Sequence, residues 1–232
     1  MISLGGKPLL AYTIEWLQAN GIRDVVINLS YFPEQVMGYF GDGSAWGIHI
    51  DYSIEGMALG TAGGVRNVRH LLAGGEPFLV WYGDNLSHCD IRALADAHRE
   101  RGASASIAVF ERDDPRAGGI VEFDARKKIH RFIEKPRDDE VFSSWVNAGI
   151  MLCEPAVLDL IPEGIADFGH DILPQLVRAP DGLYAYPLNS TESLFWIDTP
   201  RDLARVQSLF ADGSWPTACE TKGDVCKNRD PQ

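Results

Sequence analysis

The stretch from Phe78 to Asn85, Phe-Leu-Val-Trp-Tyr-Gly-Asp-Asn, indicates the fold class of this chain. Its five apolar or aromatic residues, which follow Pro77, predict a strand buried on both faces, as in a parallel sheet with helices on either side. In open α/β sheets ligands bind beyond the carboxyl ends of the strands, so the carboxylate of Asp84 is expected to face a binding site. The alternative is that Asp84 only caps a helix predicted to begin near Ile91, because Asp is also an ordinary turn residue.

The length and composition of the chain are those of a globular protein. A chain of 232 residues, 45% hydrophobic and 23% charged, can form a single α/β domain with a sizeable core. No apolar run approaches the ~20 residues that a membrane helix requires. The first residues, Met-Ile-Ser-Leu-Gly-Gly-Lys-Pro, lack the basic start and apolar region of a secretory signal, which favours a cytoplasmic location.

Charge and cysteine spacing argue against several classes of partner. The formal net charge of −12 disfavours unspecific binding of nucleic acids, which depends on Lys and Arg neutralising phosphates. A phosphorylated ligand would therefore need local positive charge or a metal ion. Cys89, Cys153, Cys219 and Cys226 show neither a CxxC pair nor zinc-like spacing with His, so they are predicted to be free thiols.

Hydrophobic periodicity and turn residues predict alternating strands and helices along most of the chain. The predicted helices cover residues 8–19, 33–40, 61–72, 91–101, 155–160, 170–177 and 201–210. The predicted strands cover residues 25–29, 48–53, 78–82, 104–110, 145–152, 183–187 and 194–197, and a hairpin is expected at residues 118–123 and 129–133. This order predicts a three-layer α/β/α sandwich with a Rossmann-like mixed sheet and a β-rich insertion over residues 1–210, followed by a polar, flexible tail at 211–232.

A glycine-rich segment stands at the start of the third predicted helix. Gly60, Gly63 and Gly64 would let backbone N–H groups approach an anionic or planar ligand closely, with Thr61 as the N-cap of the helix. The alternative is a turn that needs glycine only for its positive φ. Taken alone, the segment favours this simpler interpretation.

Two carboxylates stand directly after apolar strands, Asp84 after the third and Asp198 after the last. If the two strands are neighbours, the carboxylates meet, and together with phosphate oxygens they form the incomplete oxygen sphere that Mg²⁺ prefers. Lys135, at the end of the second hairpin strand, would supply a point charge for a second phosphate group, although an exposed, solvated lysine is the alternative. These residues favour chemistry that joins or splits phosphates.

A series of short motifs gives the chain a resemblance to a known family. The motifs are LGGKPLL at 4–10, Glu55 followed by LGTAGG at 59–64, GD at 83–84, Gly119, EKP at 134–136, NAG at 147–149 and WIDTP at 196–200. Over residues 4–210, the chain resembles the sugar-phosphate nucleotidylyltransferases, which make a nucleotide sugar and pyrophosphate from a nucleoside triphosphate and a sugar 1-phosphate. The resemblance implies the nucleotide-diphospho-sugar transferase fold.

The resemblance also implies roles for individual residues. The implied catalytic residues are Asp84, Lys135 and Asp198, of which the two aspartates would bind Mg²⁺ and the lysine would hold the sugar phosphate. The implied substrate-binding residues are Glu55, Gly60, Thr61, Gly119, Glu134 and Asn147. Among them, Gly60 and Thr61 would lie against the nucleobase, and the last three would line the sugar pocket.

One feature of the family has no counterpart in this sequence. Its members begin with a strand and a Gly-rich loop that contains Gly-Thr-Arg, followed by Pro-Lys-Pro, whereas Met1 stands beyond both. We therefore expect an N-terminally incomplete nucleotidyltransferase domain with reduced activity, because charge stabilisation of this kind commonly contributes ~3–4 kcal/mol per donor. An alternative is a non-catalytic regulatory homologue that binds a sugar nucleotide. A glycosyltransferase is disfavoured, because Asn85 and Leu86 stand where an Asp-x-Asp metal motif would continue.

The sequence leaves the base, the sugar and the oligomeric state open. The absence of hexapeptide repeats favours the short guanylyl- or thymidylyl-type enzymes, and we favour GTP with a mannose- or heptose-type 1-phosphate. The expected partners are these two substrates, with no nucleic acid and no membrane. The exposed edge of the predicted hairpin would suit a homodimer.

Overall fold

The computed structural model describes residues 1–72 and 74–211 of the chain as a mixed α/β structure. The strands are β1 (Ser3–Leu4), β2 (Lys7–Pro8), β3 (Asp24–Leu29), β4 (His49–Ile54), β5 (Phe78–Trp81), β6 (Asn85–Ser87), β7 (Ala105–Glu111), β8 (Gly119–Phe123), β9 (Ile129–Glu134), β10 (Trp145–Cys153), β11 (Leu183–Pro187) and β12 (Leu194–Trp196). The α-helices are α1 (Leu9–Ala19), α2 (Pro33–Phe40), α3 (Gly60–Asn67), α4 (Arg69–Leu72), α5 (Ile91–Arg101), α6 (Leu173–Val177) and α7 (Pro200–Ala211). Short 3₁₀ turns occur at Ser44–Trp46, Asp138–Glu140 and Pro155–Leu160, and a π-helical turn spans Phe168–Ile172. The predicted α/β fold class is confirmed.

The nine-residue strand β10 is the centre of the main sheet. β7 pairs with one of its edges, and β5 and β8 pair with the other, all in antiparallel orientation. β11 extends the sheet beyond β7, and β9 extends it beyond β8. Every side chain from Val146 to Met151 is buried, as expected for an interior strand covered on both faces.

The predicted hairpin is present as β8 and β9, and it continues the main sheet. Ile120 of β8 lies opposite Val146 of β10, next to the stretch of β10 that pairs with β5. Within the hairpin, Gly119 lies opposite Glu134. The sheet therefore carries the predicted hairpin residues directly to the edge where β5 ends.

Strand β5 is less buried than its apolar sequence predicts, and it pairs antiparallel with β10 instead of in the parallel orientation expected. Phe78 is buried, but Leu79, Val80 and Trp81 are half-buried. The reason is a cavity of about 1150 Å³ that is lined by both β5 and β3. Within the described residues, β5 pairs only with β10, and β3 pairs only with β4, so the expected continuous sheet is divided at this cavity.

Apolar side chains from two helical segments also line the cavity. Leu10, Ile14 and Leu17 come from α1, and Val65 and Val68 come from α3 and the residue after it. The facing edges of β3 and β5 carry backbone N–H and C=O groups for which the described residues provide no strand partner. Such edges are templates for pairing with another chain.

The hydrogen bonds decide two capping predictions. Asp90 is the N-cap of α5, because its side chain accepts hydrogen bonds from two backbone N–H groups of the first turn, so Asp84 is not the cap of this helix. The prediction that Thr61 caps α3 was wrong. The N-cap is Leu59 and the helix begins at Gly60, because the hydroxyl of Thr61 is bonded to another segment of the chain.

Three of the predicted helices are irregular, and one of them, Pro155–Leu160, is a 3₁₀ helix. The segment predicted at residues 61–72 forms α3 and α4, which are separated at Val68. The segment predicted at residues 170–177 begins within the π-helical turn and continues as α6. Single π-helical turns occur frequently at functional sites.

The last described residue, Ala211, ends α7. The rest of the predicted flexible tail, residues 212–232 with Cys219 and Cys226, lies outside the described residues. Cys89 and Cys153 are free and buried, and burial raises the pKa of the Cys153 thiol to about 12. Among the described helices, none is both long and apolar enough to cross a membrane.

A lysine in the cavity between β3 and β5 should reduce self-association of this chain. Val26 of β3 lines the cavity, so Val26→Lys places a charge at the unpaired edge, a device by which natural sheets avoid edge-to-edge pairing. Size-exclusion chromatography with light scattering, over a concentration series, should show association of the wild-type chain and a larger monomer fraction for Val26→Lys.

The matched control is Val141→Lys. It adds the same charge at a residue that is 38% exposed and is not part of the cavity lining, so it should associate like the wild type. A wild-type chain that stays monomeric at every concentration would contradict the prediction, as would equal effects of both lysines.

Candidate active site

A β-bulge in β10 fixes the position at which β5 ends. The register of β10 against β7 shifts within residues 147–151, and Gly149 there has a φ of +71°. Gly149 O accepts a hydrogen bond from Tyr82 N at 2.9 Å, and Ala148 O accepts one from Asn85 Nδ2 at 3.0 Å. These two bonds hold the turn between β5 and β6, which carries the first predicted metal-binding aspartate.

Only glycine fits at the centre of this bulge. A Cβ atom on Gly149 would lie 2.7 Å from Asn85 Nδ2 and 2.8 Å from the ring of Tyr82, and its positive φ disfavours other residues. Asn147 supports the same geometry, because its Oδ1 accepts a hydrogen bond from Gly149 N at 3.1 Å. Asn147 is only 7% exposed, and its contact with a sugar stays a prediction.

The two aspartates predicted to bind a metal leave one strand pair at the same end. β6 pairs antiparallel with β12, with Asn85 opposite Trp196, so Asp84 precedes the pair where Asp198 follows it. Asp84 is exposed at the cavity, yet the surrounding protein partly desolvates its carboxylate. This burial raises the pKa of Asp84 above its usual range, and the negative charge of Asp198 raises it further.

This pair of carboxylates suits one divalent cation. A cation between Asp84 and Asp198 would relieve the repulsion that raises the pKa of Asp84. In the part of the chain that the structure describes, no set of three or more His, Cys, Asp or Glu side chains is placed to hold a metal ion. The protein would thus supply one or two carboxylates and leave the other ligand positions to water and phosphate, which is a common arrangement for Mg²⁺.

The start of α3 touches a neighbouring backbone segment through its glycines. Gly60 has a φ of +78°, and a Cβ atom there would lie 2.4 Å from Ala166 O. A Cβ atom on Gly63 would lie 2.5 Å from Gly164 O. Glycine is therefore needed at position 60 both for its positive φ and for the close contact, whereas at position 63 only the close approach of the two backbones requires it.

Glu55 is oriented at the edge of the same cavity. Its Oε1 accepts a hydrogen bond from Asn28 Nδ2, and its Oε2 accepts one from Leu59 N, both at 3.0 Å. A Cβ atom on Gly64 would lie 2.8 Å from Glu55 Oε1, so Gly64 leaves room for the carboxylate. Sequence reasoning missed Asn28, because it lies near the end of a strand and belongs to no motif.

Thr61 is bonded to a segment 106 residues further along the chain. Its hydroxyl donates to Asp167 Oδ2 at 2.6 Å and accepts from Phe168 N at 2.9 Å. Asp167 is also the N-cap of the π-helical turn, because its Oδ1 accepts from Gly169 N at 2.8 Å. Sequence reasoning missed Asp167, since an Asp before a short helix gives no more than a capping signal.

The hairpin brings three predicted residues together. A Cβ atom on Gly119 would lie 2.6 Å from Oε2 of Glu134, its partner across the hairpin. Burial raises the pKa of Glu134, the charge of Asp167 raises it further, and His170 and Lys135 oppose the shift. Lys135 is exposed and has a φ of +46°, a strained conformation of the kind that is frequent at ligand sites.

Tyr82 lies between the carboxylate pair and the hairpin residues. Burial raises the pKa of Tyr82 far above its ordinary value, a hydrogen bond with Thr61 opposes the shift, and the charges of Asp167, Glu134 and Asp84 add to it. The phenol therefore stays protonated and can donate a hydrogen bond. Sequence reasoning missed Tyr82 because it was assigned to the buried strand.

The structure brings most of the predicted site residues into one region. Those that line the large cavity are Glu55, Gly60, Thr61 and Asp84. Asp198 lies beside Asp84, and Tyr82 and Asp167 connect this group to Glu134, whose neighbours in the hairpin are Gly119 and Lys135. Asn147 lies at the bulge of β10, where it bonds to Gly149, the residue that holds Tyr82.

Residues 1–211 of the chain match a protein-family model that is described as "Nucleotidyl transferase". The UTP–glucose-1-phosphate uridylyltransferase of Synechocystis sp. is 34% identical over 85% of this chain and 53% of the relative. The mannose-1-phosphate guanylyltransferase of Mycobacterium tuberculosis is 33% identical over 94% of this chain and 60% of the relative. The probable mannose-1-phosphate guanylyltransferase 1 of Oryza sativa is 35% identical over 91% of this chain and 58% of the relative.

Solved structures share the fold at lower identity. The crystal structure of HddC from Yersinia pseudotuberculosis superposes with a TM-score of 0.76 at 21% identity, covering 90% of this chain and 88% of that chain. A putative glucose-1-phosphate thymidylyltransferase from Bacillus anthracis, in complex with a sucrose, gives a TM-score of 0.80 at 23% identity, covering 90% and 85%. These similarities establish the fold.

The three curated relatives are longer than this chain, which spans 53 to 60% of their length. The family match, in contrast, runs through residues 1–211 and so includes all the described residues. The carboxylate pair, the glycine-rich helix start and the hairpin all lie inside the matched region. The chain therefore belongs to the nucleotidyl transferase family.

Proposed function

We propose that this chain transfers a nucleotidyl group from a nucleoside triphosphate to a sugar 1-phosphate and releases pyrophosphate. The observation that carries the proposal is the carboxylate pair Asp84 and Asp198, of which Asp84 follows β5 and lines the cavity that the glycine-rich start of α3 also lines. Relatives that are 33 to 35% identical bear the names of uridylyl- and guanylyltransferases acting on sugar 1-phosphates. Both lines of support favour the same reaction class.

The proposed reaction is an in-line displacement at the α-phosphorus. An oxygen of the sugar 1-phosphate forms a bond to this phosphorus while the bond to the bridging oxygen of the β-phosphate breaks, and pyrophosphate leaves. Asp84 and Asp198 would hold Mg²⁺, which neutralises phosphate charge when it is bound. Positioning supplies most of the catalysis in such reactions, because the protein has little covalent chemistry to perform.

The nucleobase would lie at the start of α3. Gly60 and Thr61 form this surface, and the contact with Ala166 and the hydrogen bond to Asp167 fix their positions. Glu55 would accept hydrogen bonds from base N–H groups, because its carboxylate is already oriented at the same cavity. This arrangement would favour a nucleobase that presents N–H hydrogen-bond donors to Glu55.

The sugar 1-phosphate would lie on the hairpin side. Lys135 would bind its phosphate through charge-assisted hydrogen bonds. Glu134 would accept hydrogen bonds from sugar hydroxyls, and Gly119 would leave room beside it, since any side chain there would meet the carboxylate of Glu134. Asn147 would complete the lining from the bulge of β10.

Among the substrates, we favour GTP with a mannose- or heptose-type 1-phosphate. Guanine presents two neighbouring N–H donors, which a carboxylate such as that of Glu55 can accept together. The relatives from Mycobacterium tuberculosis and Oryza sativa bear the name of mannose-1-phosphate guanylyltransferases. UTP with glucose 1-phosphate is the second candidate, favoured by the Synechocystis relative.

The location and assembly of the protein are further parts of this proposal. Nucleoside triphosphates and sugar phosphates are cytoplasmic metabolites, so we place the reaction in the cytoplasm. Within the described residues, β9 ends one side of the main sheet, and its edge would suit a homodimer contact.

A substrate panel tests the proposed function. With Mg²⁺, the chain should release pyrophosphate from at least one combination of GTP, UTP, ATP or dTTP with mannose 1-phosphate or glucose 1-phosphate, and fastest from GTP with mannose 1-phosphate. Calorimetric titration with GDP-mannose and UDP-glucose accompanies the panel. Binding without pyrophosphate release from any pair would favour the alternative, a regulatory homologue that binds sugar nucleotides. Neither binding nor turnover would contradict both functions.

Loss of either aspartate should remove magnesium-dependent turnover. We expect Asp84→Asn and Asp198→Asn each to slow pyrophosphate release by at least ~100-fold, or about 3 kcal/mol of transition-state stabilisation. Without Mg²⁺ the melting temperature should not fall, because each change also removes the repulsion that raises the pKa of Asp84. Mg²⁺ binding to the wild type, measured by calorimetry, should weaken as the pH falls. Because the pKa of Asp84 is raised, protons compete with the metal at a higher pH than they would at an ordinary aspartate.

The control for these variants is Asp96→Asn. It removes an exposed carboxylate of α5 that pairs with Arg99 and is not part of the cavity lining, and it should leave turnover unchanged. Full activity of Asp84→Asn or Asp198→Asn in the presence of Mg²⁺ would contradict the proposal that the two aspartates bind the metal ion.

Loss of the Lys135 ammonium should affect one substrate far more than the other. Lys135→Ala should weaken binding of the sugar 1-phosphate by roughly 10- to 100-fold, because a charge-assisted hydrogen bond contributes about 1.5–3 kcal/mol. Binding of the nucleoside triphosphate should change by less than about threefold. Isothermal titration with each substrate alone measures both effects.

Lys127→Ala is the matched control, since Lys127 also has a positive φ, of +69°, and lies in the turn of the same hairpin. It should leave both affinities unchanged. An equal loss for both ligands in Lys135→Ala, or no loss for either, would refute the role of Lys135.

A further inference from the structure

Two segments far apart in the chain, residues 59–63 and 164–168, are joined by backbone hydrogen bonds. Ala166 O accepts two N–H groups from the first turn of α3, both at 3.0 Å, and Ala166 N donates to Leu59 O at 2.9 Å. The start of α3 is therefore docked on the segment that precedes the π-helical turn.

The carboxylate of Asp167 adds a side-chain connection to this contact. Its Oδ2 accepts from the hydroxyl of Thr61 at 2.6 Å, while its Oδ1 accepts from Gly169 N at 2.8 Å and His170 N at 3.2 Å. One oxygen thus serves α3 and the other serves the π-helical turn. An asparagine has one acceptor oxygen, so if that oxygen serves the turn, the side chain faces Thr61 with an NH2 group and loses the charge-assisted bond that Asp167 accepts from the hydroxyl.

The π-helical turn in turn packs against the hairpin side of the site. A Cβ atom on Gly169 would lie 2.3 Å from Glu134 Oε2, so the turn and the Glu134 carboxylate are in direct contact. The charge of Asp167 also acts on Glu134 and on Tyr82, which places these side chains in one electrostatic neighbourhood. A movement of the turn would therefore move Glu134, and with it Lys135.

We propose that Asp167 is a positioning residue that fixes the nucleobase-side start of α3 relative to Glu134 and Lys135 on the sugar side. The proposal rests on the proposed function and deepens it. Asp167 acts through Thr61 on one side and through the π-helical turn on the other, without touching the reacting phosphates. In-line attack depends on close alignment of the two substrates, so loosening this connection should reduce turnover more than stability.

Two substitutions break the connection from opposite sides. Asp167→Asn and Thr61→Val should each raise the KM for GTP by about 10-fold and lower kcat by about 10- to 100-fold, because a misplacement of about 1 Å can reduce turnover by this amount. The double variant should be little worse than Thr61→Val alone, since that substitution already removes the interaction between Thr61 and Asp167. Thr61→Ser, which retains the hydroxyl, should recover at least half of the loss caused by Thr61→Val.

Asp171→Asn is the matched control. Asp171 Oδ2 accepts a hydrogen bond from Asp167 N at 2.7 Å and so supports the same π-helical turn, whereas Thr61 bonds to Asp167 and Phe168. Asp171→Asn should lower the melting temperature about as much as Asp167→Asn, yet change kcat and the KM for GTP by less than about threefold. Equal kinetic losses in the two variants would overturn the proposal, because Asp167 would then have only a structural role.

Calorimetric titration with GTP separates this proposal from the proposed function. A wild-type chain that binds GTP but releases no pyrophosphate from any substrate pair would refute the transferase activity alone. In that case, GTP affinity about 10-fold weaker in Asp167→Asn, and unchanged in Asp171→Asn, would still support the role of Asp167. Unchanged affinity and kinetics in Asp167→Asn would overturn it, and a wild-type chain that neither binds GTP nor turns over would overturn both.

Discussion

The position of the candidate site depends on the hydrogen bonds between the bulge of β10 and the end of β5. β10 is paired with its neighbours on both sides of the bulge, at Val146 and at Met151, so the carbonyl groups of Ala148 and Gly149 lie between two anchored stretches of the strand. They hold Tyr82 and Asn85, the residues on either side of the turn that presents Asp84. The same turn begins β6, whose pairing with β12 brings the second aspartate to the same end. The bulge at the NAG motif therefore holds the turn of Asp84, and the pairing of β6 with β12 brings the two aspartates, 114 residues apart, to the same end.

Negative charge is concentrated where two anionic substrates are proposed to bind. The charge of Asp198 raises the pKa of Asp84, and the charge of Asp167 raises the pKa of Glu134. In a chain with a formal net charge of −12, such a site would repel phosphates unless cations were present. A Mg²⁺ ion bound by the two aspartates and the ammonium group of Lys135 would meet this requirement at two separate places. The repulsion between these carboxylates is thus the physical reason to expect strong metal dependence.

The parts of the structure that the sequence could predict are those with local causes. Apolar strands, their terminal carboxylates and the hairpin follow from patterns within about ten residues, and they were located correctly. The capping role of Thr61 was wrong because Asp167, far away in the chain, offers its hydroxyl a better partner. Tyr82 and Asn28 were missed for the same reason, since their contacts are with residues from other elements. The burial of β5 was overestimated because no sequence pattern reveals a cavity beside an apolar strand.

The cavity between β3 and β5 affects the distance between the two sides of the site. Glu55 follows β4, the partner of β3, and Asp84 follows β5, so the distance between them depends on how β3 and β5 are spaced. No strand within residues 1–72 and 74–211 lies between these two edges, and sheet hydrogen bonds therefore do not fix the spacing. It is set instead by side-chain packing of α1, whose Leu10 lies near Gly83 and whose Ile14 packs in the cluster that contains Leu29. Apolar packing is less directional than a sheet ladder, so the docking of α3 onto Ala166 and Asp167 becomes the main polar constraint between the two sides of the site.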